Sequence, residues 1–274
     1  MQGMHNMASA LQHITDRIRA AAADGTPLRI RGGGSKDFYG QSLQGELLDT
    51  RSLGGILSYE PTELVVTVGA GTPLAELEAL LDERGQCLAF EPPHFAWSAG
   101  SGAAADSGAT VGGMVAAGLS GPARVGAGAV REYVLGLHMV NGRGEELVYG
   151  GQVMKNVAGY DVSRMMVGSM GTLGLITEVS LKVLPVAPAE ATLVFALDQT
   201  SALECLHRWG SQPLPLNASC WVHDDTAASG GQDLLFVRLR GAVAAVEAAC
   251  HKMLSEKTGQ RMGNNAKARA DWQL

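Results

Sequence analysis

Three glycine-rich segments follow or precede strand-like runs, and they constrain the fold more than any other feature of the chain. The first is Arg31-Gly32-Gly33-Gly34-Ser35-Lys36. The second opens at Thr110-Val111-Gly112-Gly113 and continues through Gly121 to Gly128. The third is Gly168-Ser169-Met170-Gly171-Thr172-Leu173-Gly174. Glycine admits backbone with φ > 0 and lets exposed N–H groups come close to a ligand, which suits a large anionic cofactor. One such loop marks a tight turn. Three of them, between residues 31 and 174, point to one extended cofactor held along its length.

The segments between the loops read as alternating elements. Residues 1–23 form an amphipathic helix with no apolar signal-peptide core. Strands are expected at residues 27–31, 47–49, 56–59 and 64–68. Thr72 then serves as N-cap with Pro73 at the first helical position, and Leu74, Leu77, Leu80 and Leu81 give the helix its apolar face up to Gly85. Residues 134–140 and 145–149 form a hairpin turning at Asn141-Gly142, and residues 175–183 alternate as a half-buried strand. Pro185 and Pro188 mark a boundary. Beyond it, β-α-β-β-α order over residues 192–257 predicts a small α+β domain. Residues 260–274 are expected to add no packing element, leaving apolar residues in 216–222 and 234–239 poorly covered.

Composition narrows the function. With 274 residues, 46% hydrophobic and 18% charged, the chain has material for one large or two unequal globular domains. A net charge of −6 without a Lys/Arg stripe argues against nucleic acid. Lys36 and Arg31 beside glycines suit a small phosphate ligand. Cys87, Cys205, Cys220 and Cys250 are scattered without a C-x-x-C pair, which excludes zinc ribbons, redox dithiols and an iron–sulfur cluster within the chain. No metal site is expected. No apolar run is long enough to span a bilayer, so direct membrane insertion is not expected. The expected location is the cytoplasm, or a membrane reached through partner subunits.

Several motifs carry a plainer reading beside the functional one. Gly100-Ser101-Gly102-Ala103-Ala104-Ala105 matches a dinucleotide fingerprint as a string, but it follows Glu91-Pro92-Pro93-His94-Phe95 and not a strand, so residues 96–108 read as a loop insertion. Ser35 and Lys36 add a hydroxyl and a charge where loop N–H groups converge on a pyrophosphate. Thr110, Gly112 and Gly113 open a short helix whose N–H groups would face the same anion, the alternative being a small-residue helix packed under a loop. His94, His138 and His223 are candidate bases with no partner visible in the sequence. Asp161 either orders its loop or faces the ligand, and Glu178 reads as solvent-facing. The residues identify no catalytic base.

Arg31-Gly32-Gly33-Gly34-Ser35-Lys36, the run from Tyr59 to Thr72, Thr110-Val111-Gly112-Gly113 and Gly171-Thr172-Leu173-Gly174-Leu175-Ile176-Thr177-Glu178 together resemble the vanillyl-alcohol-oxidase, or PCMH-type, FAD-binding domain. Lys155-Asn156-Val157-Ala158-Gly159-Tyr160-Asp161, Ala116-Ala117-Gly118-Leu119-Ser120-Gly121-Pro122 and Glu91-Pro92-Pro93-His94-Phe95 narrow the resemblance to the FAD-binding subunits of bacterial glycolate oxidase. The resemblance covers residues 25–185 and implies an α+β fold: a PCMH-type domain of two α/β subdomains over residues 1–188, then a partial α+β cap over residues 189–274. It implies FAD bound by Arg31, Gly32, Gly33, Gly34, Ser35, Lys36, Pro93, Thr110, Gly112, Gly113, Gly121, Asp161, Gly174 and Ile176. Gly34 stands where covalent members carry histidine, so the FAD is noncovalent. The implied chemistry is oxidation of a 2-hydroxy acid, glycolate or D-lactate, beside a second flavin subunit and an iron–sulfur subunit. Two alternatives stay open: a FAD-binding relay or scaffold without substrate chemistry, and a non-catalytic nucleotide or phosphate binder.

Overall fold

The computed structural model describes residues 2–42, 44–95, 108–151, 160–225, 231–262 and Trp272. Residues 96–107 of the expected loop insertion at 96–108, with its fingerprint-like string, and residues 155–159 of the narrower motif lie outside the described residues. The chain divides into two compact units, Met1–Ser120 with Ala129–Pro185, and Gly121–Gly128 with Val186–Leu274.

The first unit opens with helix α1 (Gln2–Asp24), whose Ile14 and Ile18 pack with Leu48 and Leu53. Strands β1 (Leu28–Arg31) and β2 (Glu46–Asp49) pair in parallel beneath it. Five further strands form an antiparallel sheet: β3 (Ile56–Glu60), β4 (Val65–Gly69), β6 (Val134–Val140), β7 (Glu146–Gly150) and β8 (Leu175–Lys182), in the order β3-β4-β8-β6-β7. Every residue of β4 is buried, as a continuous β-branched run at the sheet's interior requires. Helices α2 (Leu74–Asp82) and α3 (Val111–Ala117) share one apolar cluster with the sheet: Leu74, Leu77 and Leu81 from α2, and Met114 and Val115 from α3, meet Val66, Val68, Leu137, Ile176 and Val179. A short pair, β5 (Gln86–Cys87) with β9 (Leu184–Pro185), and helix α5 (Val162–Met165) complete this unit.

The second unit holds helix α4 (Arg124–Ala127) and a sheet in the order β11-β12-β10-β13, made of β10 (Ala189–Ala196), β11 (Leu216–Asp224), β12 (Gln232–Gly241) and β13 (Gln260–Arg261). Helices α6 (Gln199–Gly210) and α7 (Val243–Glu256) cover one face. Trp209 and Met253 are fully buried there against Phe195, Leu235, Val237 and Leu239. Both units mix helix and sheet, the α+β class the sequence implies.

Four local expectations need correction. Pro73, not Thr72, occupies the N-cap of α2, and the Thr72 hydroxyl instead donates to Gly69 O at 2.7 Å and accepts from Gly55 N at 2.9 Å. A buried hydroxyl takes whichever backbone partner the tertiary packing supplies. The hairpin at Asn141 is wider than a two-residue turn, because Asn141 N donates to Glu145 O and its side chain accepts from Arg143 N and Glu145 N. Residues 260–261 do add an element, pairing with Leu193 and Val194 of β10. Leu235, Val237 and Leu239 are fully buried where poor cover was expected.

The core of the first unit predicts its own test. Leu77 is fully buried between α2 and the sheet, so Leu77→Ala is expected to cost about 2–5 kcal/mol in denaturant unfolding. A loss below about 1 kcal/mol would show that this contact does not hold the unit together.

Candidate functional site

The first glycine loop begins where β1 ends. Thr50 binds the Arg31 carbonyl twice, through its N–H at 3.0 Å and its hydroxyl at 3.2 Å, which fixes the strand end beside β2. Arg31 Nε then donates to Asp37 Oδ2 at 2.7 Å, and Asp37 N donates to Gly34 O at 3.1 Å. These bonds close residues 31–37 into a compact loop, and the Arg31 charge is spent on Asp37. Gly34 has φ +78°, and the Arg31 guanidinium lies 2.1 Å from where a Cβ would sit. At Gly33 the same position falls 1.7 Å from Gly108 O, so the first and second loops touch backbone to backbone. A side chain at Gly33 would have to move a loop backbone, whereas one at Gly34 would displace the Arg31 side chain and strain a positive φ.

Inside that closed loop the backbone N–H groups of Gly33, Gly34, Ser35 and Lys36 have no acceptor among the described residues. Gly33 and Ser35 are buried. Buried N–H groups are ordinarily paired, so those of Gly33 and Ser35 mark this loop as a candidate anion site. Lys36 stands beside them, half-buried and without a carboxylate partner among the described residues. Burial pushes its ammonium below the ordinary lysine range.

The second loop behaves differently from its sequence expectation. Thr110 caps α3, accepting from Gly113 N at 3.3 Å. However, Val111 N donates to Thr72 O at 2.9 Å, Gly112 N to Ala70 O at 2.7 Å and Met114 N to Thr110 O at 2.8 Å. The start of α3 is docked on the turn between β4 and α2, so these N–H groups already have acceptors and do not face a ligand. Gly112 and Gly113 contribute a smooth floor instead. The third loop is tied to the other end of the same helix, through Gly168 N to Val115 O at 3.0 Å and Met170 N to Ala116 O at 2.9 Å.

A cleft of about 100 Å³ lies where these pieces meet. It is lined by Ile30 of β1, Gly32 of the first loop, Thr50 just after β2, Gly112, Gly113 and Ala116 of α3, Met170, Gly171 and Gly174 of the third loop, and Leu175 and Ile176 of β8. That volume is well below the roughly 300–1,000 Å³ of pockets that bury a whole ligand, so it takes only part of an extended one. Of the expected residues, Gly32, Gly112, Gly113, Gly174 and Ile176 line this cleft, and residues 33–36 and Thr110 adjoin it. Ile30, Thr50, Ala116 and Met170 were not anticipated. For Met170 the signal was present: it sits within the third glycine loop.

The remaining expected residues lie elsewhere. Pro93 is half-buried and outside the lining. Asp161 is exposed and caps α5, accepting from Arg164 N at 3.2 Å and pairing with Arg164 Nε at 3.0 Å, which favours its loop-ordering alternative. Gly121 belongs to the second unit. Each histidine has a carboxylate partner that the linear sequence hides: His94 with Glu78 at 2.9 Å, His138 with Glu178 at 3.1 Å across adjacent strands, and His223 with Asp233 at 2.6 Å. None of the three lines the cleft.

Comparison with known proteins places the chain in a family. A model described as the FAD binding domain matches residues 7–150. The chain is 43% identical over 238 residues to glycolate oxidase subunit GlcE of Escherichia coli, covering 87% of this chain and 63% of that protein. It is 31% identical over 150 residues to a D-lactate dehydrogenase of Anaerostipes hadrus and 30% over 158 residues to glycolate oxidase subunit GlcD of Bacillus subtilis. Those matches cover 55% and 58% of this chain but 29% and 31% of the relatives, so the chain spans less than two thirds of each. Among solved structures it superposes on alkyldihydroxyacetonephosphate synthase with a TM-score of 0.71 at 18% identity, over 95% of this chain and 52% of that one, a likeness of fold. The matched domain takes in more than half of the chain, which belongs to the FAD-binding-domain family of the PCMH type, whose cofactor is FAD.

Proposed function

We propose that this chain is the FAD-binding subunit of a glycolate-oxidase-type 2-hydroxy-acid dehydrogenase. The observation that carries the reading is the run of unpaired N–H groups at residues 33–36 beside Lys36, a cradle for the FAD diphosphate. Thr110 orders the start of α3, and the small residues of α3 and the third loop leave room for the cofactor to pass. Bound there, FAD would supply the two-electron oxidant for a 2-hydroxy acid. The chain's part is to hold and orient it. Attachment is noncovalent in this reading: Gly34 stands at the position of the covalent histidine, and no His or Cys among the described residues lines the cleft.

The substrate class, glycolate or D-lactate, rests on the named relatives, as does assembly with a second flavin subunit and an iron–sulfur subunit. Residues 1–188 act as the FAD domain and residues 189–274 as part of a cap. No group of His, Cys, Asp and Glu suited to a metal is found among the described residues, and no helix among them is long and apolar enough to cross a membrane. A second reading, a FAD-binding relay or scaffold, is favoured by one observation: no titratable side chain among the described residues lines the cleft. Bleaching of the flavin when the purified chain meets glycolate or D-lactate supports the first reading, and an unchanged spectrum with bound flavin supports the second.

Absorption spectroscopy before and after acid precipitation tests the cofactor itself. Flavin bands that pass into the supernatant are expected. Flavin retained in the pellet would overturn noncovalent binding. Gly33→Val drives a side chain into Gly108 O and should abolish flavin retention; full occupancy in a folded variant would sink the loop assignment.

Lys36 adds a pH dependence. A bound diphosphate favours the charged amine, so Lys36 titrates higher in the complex than in the free protein. Affinity for FAD is therefore full below the free protein's lowered Lys36 pKa and falls as pH rises through it, beginning below the range of an ordinary lysine. Lys36→Arg keeps its charge throughout and should flatten that profile. An equally steep fall in the arginine variant would remove Lys36 as its source.

A further inference from the structure

Beside the first glycine loop, three unrelated features of the first unit converge on one residue. Phe95 is one of three described non-glycine residues in the left-handed region, with φ +49°. A phenylalanine side chain makes no local hydrogen bond that would offset this conformation, so its surroundings must impose it. Two contacts do so. His94 Nε2 lies 2.9 Å from Glu78 Oε2, which pins the preceding residue to α2. The Phe95 ring meets Phe38 edge-on, with centroids 5.1 Å apart and planes at 84°. The outcome is that the Phe95 ring faces Lys36, whose Nζ is 5.8 Å from its centroid.

The pair is poorly placed to act as a stability device. Both side chains are 39% exposed, and ion pairs that exposed contribute little to global stability. What it controls is geometry. Lysine carries its charge on a flexible four-carbon stem, and presenting that charge at a fixed point costs conformational entropy unless another group restrains it. An aromatic face restrains an ammonium without neutralising it, leaving the charge for an anion. We propose that His94 and Glu78 are positioning residues for the diphosphate cradle: they lock Phe95 against Lys36 so that the ammonium is already in place beside the donors of residues 33–36. This rests on reading those residues as the cradle of FAD.

The test is a titration of flavin-free protein with FAD, in the full chain, for His94→Ala, Phe95→Ala and the double variant, each with and without Lys36→Met. His94→Ala and Phe95→Ala should each weaken FAD binding by about threefold to thirtyfold, the range of a cation–aromatic contact. The double variant should bind no worse than Phe95→Ala alone. His94→Gln, which keeps a hydrogen bond to Glu78, should restore most of the affinity. With Lys36→Met in place, the His94 and Phe95 substitutions should change nothing further. A His94→Ala loss that persists without Lys36, or no loss at all, overturns the proposal.

A second measurement does not depend on FAD uptake. In NMR of the chain with ¹³C-methylated lysines, the Lys36 resonance should shift in the same direction in both His94→Ala and Phe95→Ala as the ring leaves it. An unmoved Lys36 resonance rejects the latch. Absence of FAD binding by the unsubstituted chain, with Lys36 still responding, rejects the cradle and keeps the latch.

Discussion

The docking of the α3 N-terminus on the turn between β4 and α2 is the contact on which the site depends. Leu74 N donates to Ala109 O at 2.7 Å, Val111 N to Thr72 O and Gly112 N to Ala70 O, so two helix starts and a strand end are stitched into one corner. The corner sits directly on the apolar cluster, since Ala70, Leu74, Ala109 and Val111 all belong to it. Its position is therefore set by the best-buried part of the unit. Gly108 and Thr110, which flank the corner, are the residues that Gly33 and Gly32 touch. The third loop hangs from the far end of the same short helix through Val115 and Ala116. One helix of seven residues thus fixes the relative positions of all three glycine loops.

That arrangement divides the polar work unequally. A helix start usually offers free N–H groups to an anion, but here they are consumed in building the corner. The donors left over are those of residues 33–36, held open because Arg31, Asp37 and Thr50 complete the loop's internal bonding without them. Rigidity in one loop is what leaves the next free to bind. The proposed restraint of Lys36 by Phe95 follows the same logic, with the cost of ordering met before the ligand arrives.

Much of the scaffold was legible in the sequence because it is encoded locally. The buried run from Val65 to Val68 and the leucine spacing of α2 each carry their period in contiguous residues, whereas β8, expected to alternate as a half-buried strand, lies between β4 and β6 and is buried at six of its eight positions. The glycine loops were legible because close approach and positive φ leave few other residues admissible. What escaped the sequence was everything decided by pairing at a distance. Whether Gly112 N is free depends on Ala70 O, forty-odd residues away in the chain, and Thr72 is diverted from capping by Gly55. His138 meets Glu178 only through strand register, and His94 meets Glu78 only because the segment after β5 folds back over α2. Residue type and spacing name the groups that have hydrogen-bonding capacity; tertiary structure decides which of them have spent it.

The chain's net charge of −6 sharpens the meaning of those unpaired donors. A protein with this overall sign repels a polyanion at long range, so attraction must be generated close to the site and act over a few ångströms. Aligned backbone dipoles do this, because their field is strong at contact and adds nothing to the net charge. A single ammonium in a partly desolvated position adds more than one in water, since the local dielectric is lower. Arg31 is paired with Asp37, which leaves Lys36 as the cation of the first loop, its ammonium pKa lowered by burial. In the proposed reading, preference for a diphosphate over smaller anions would come from length, with donors over four consecutive residues beside a cleft that takes part of an extended ligand.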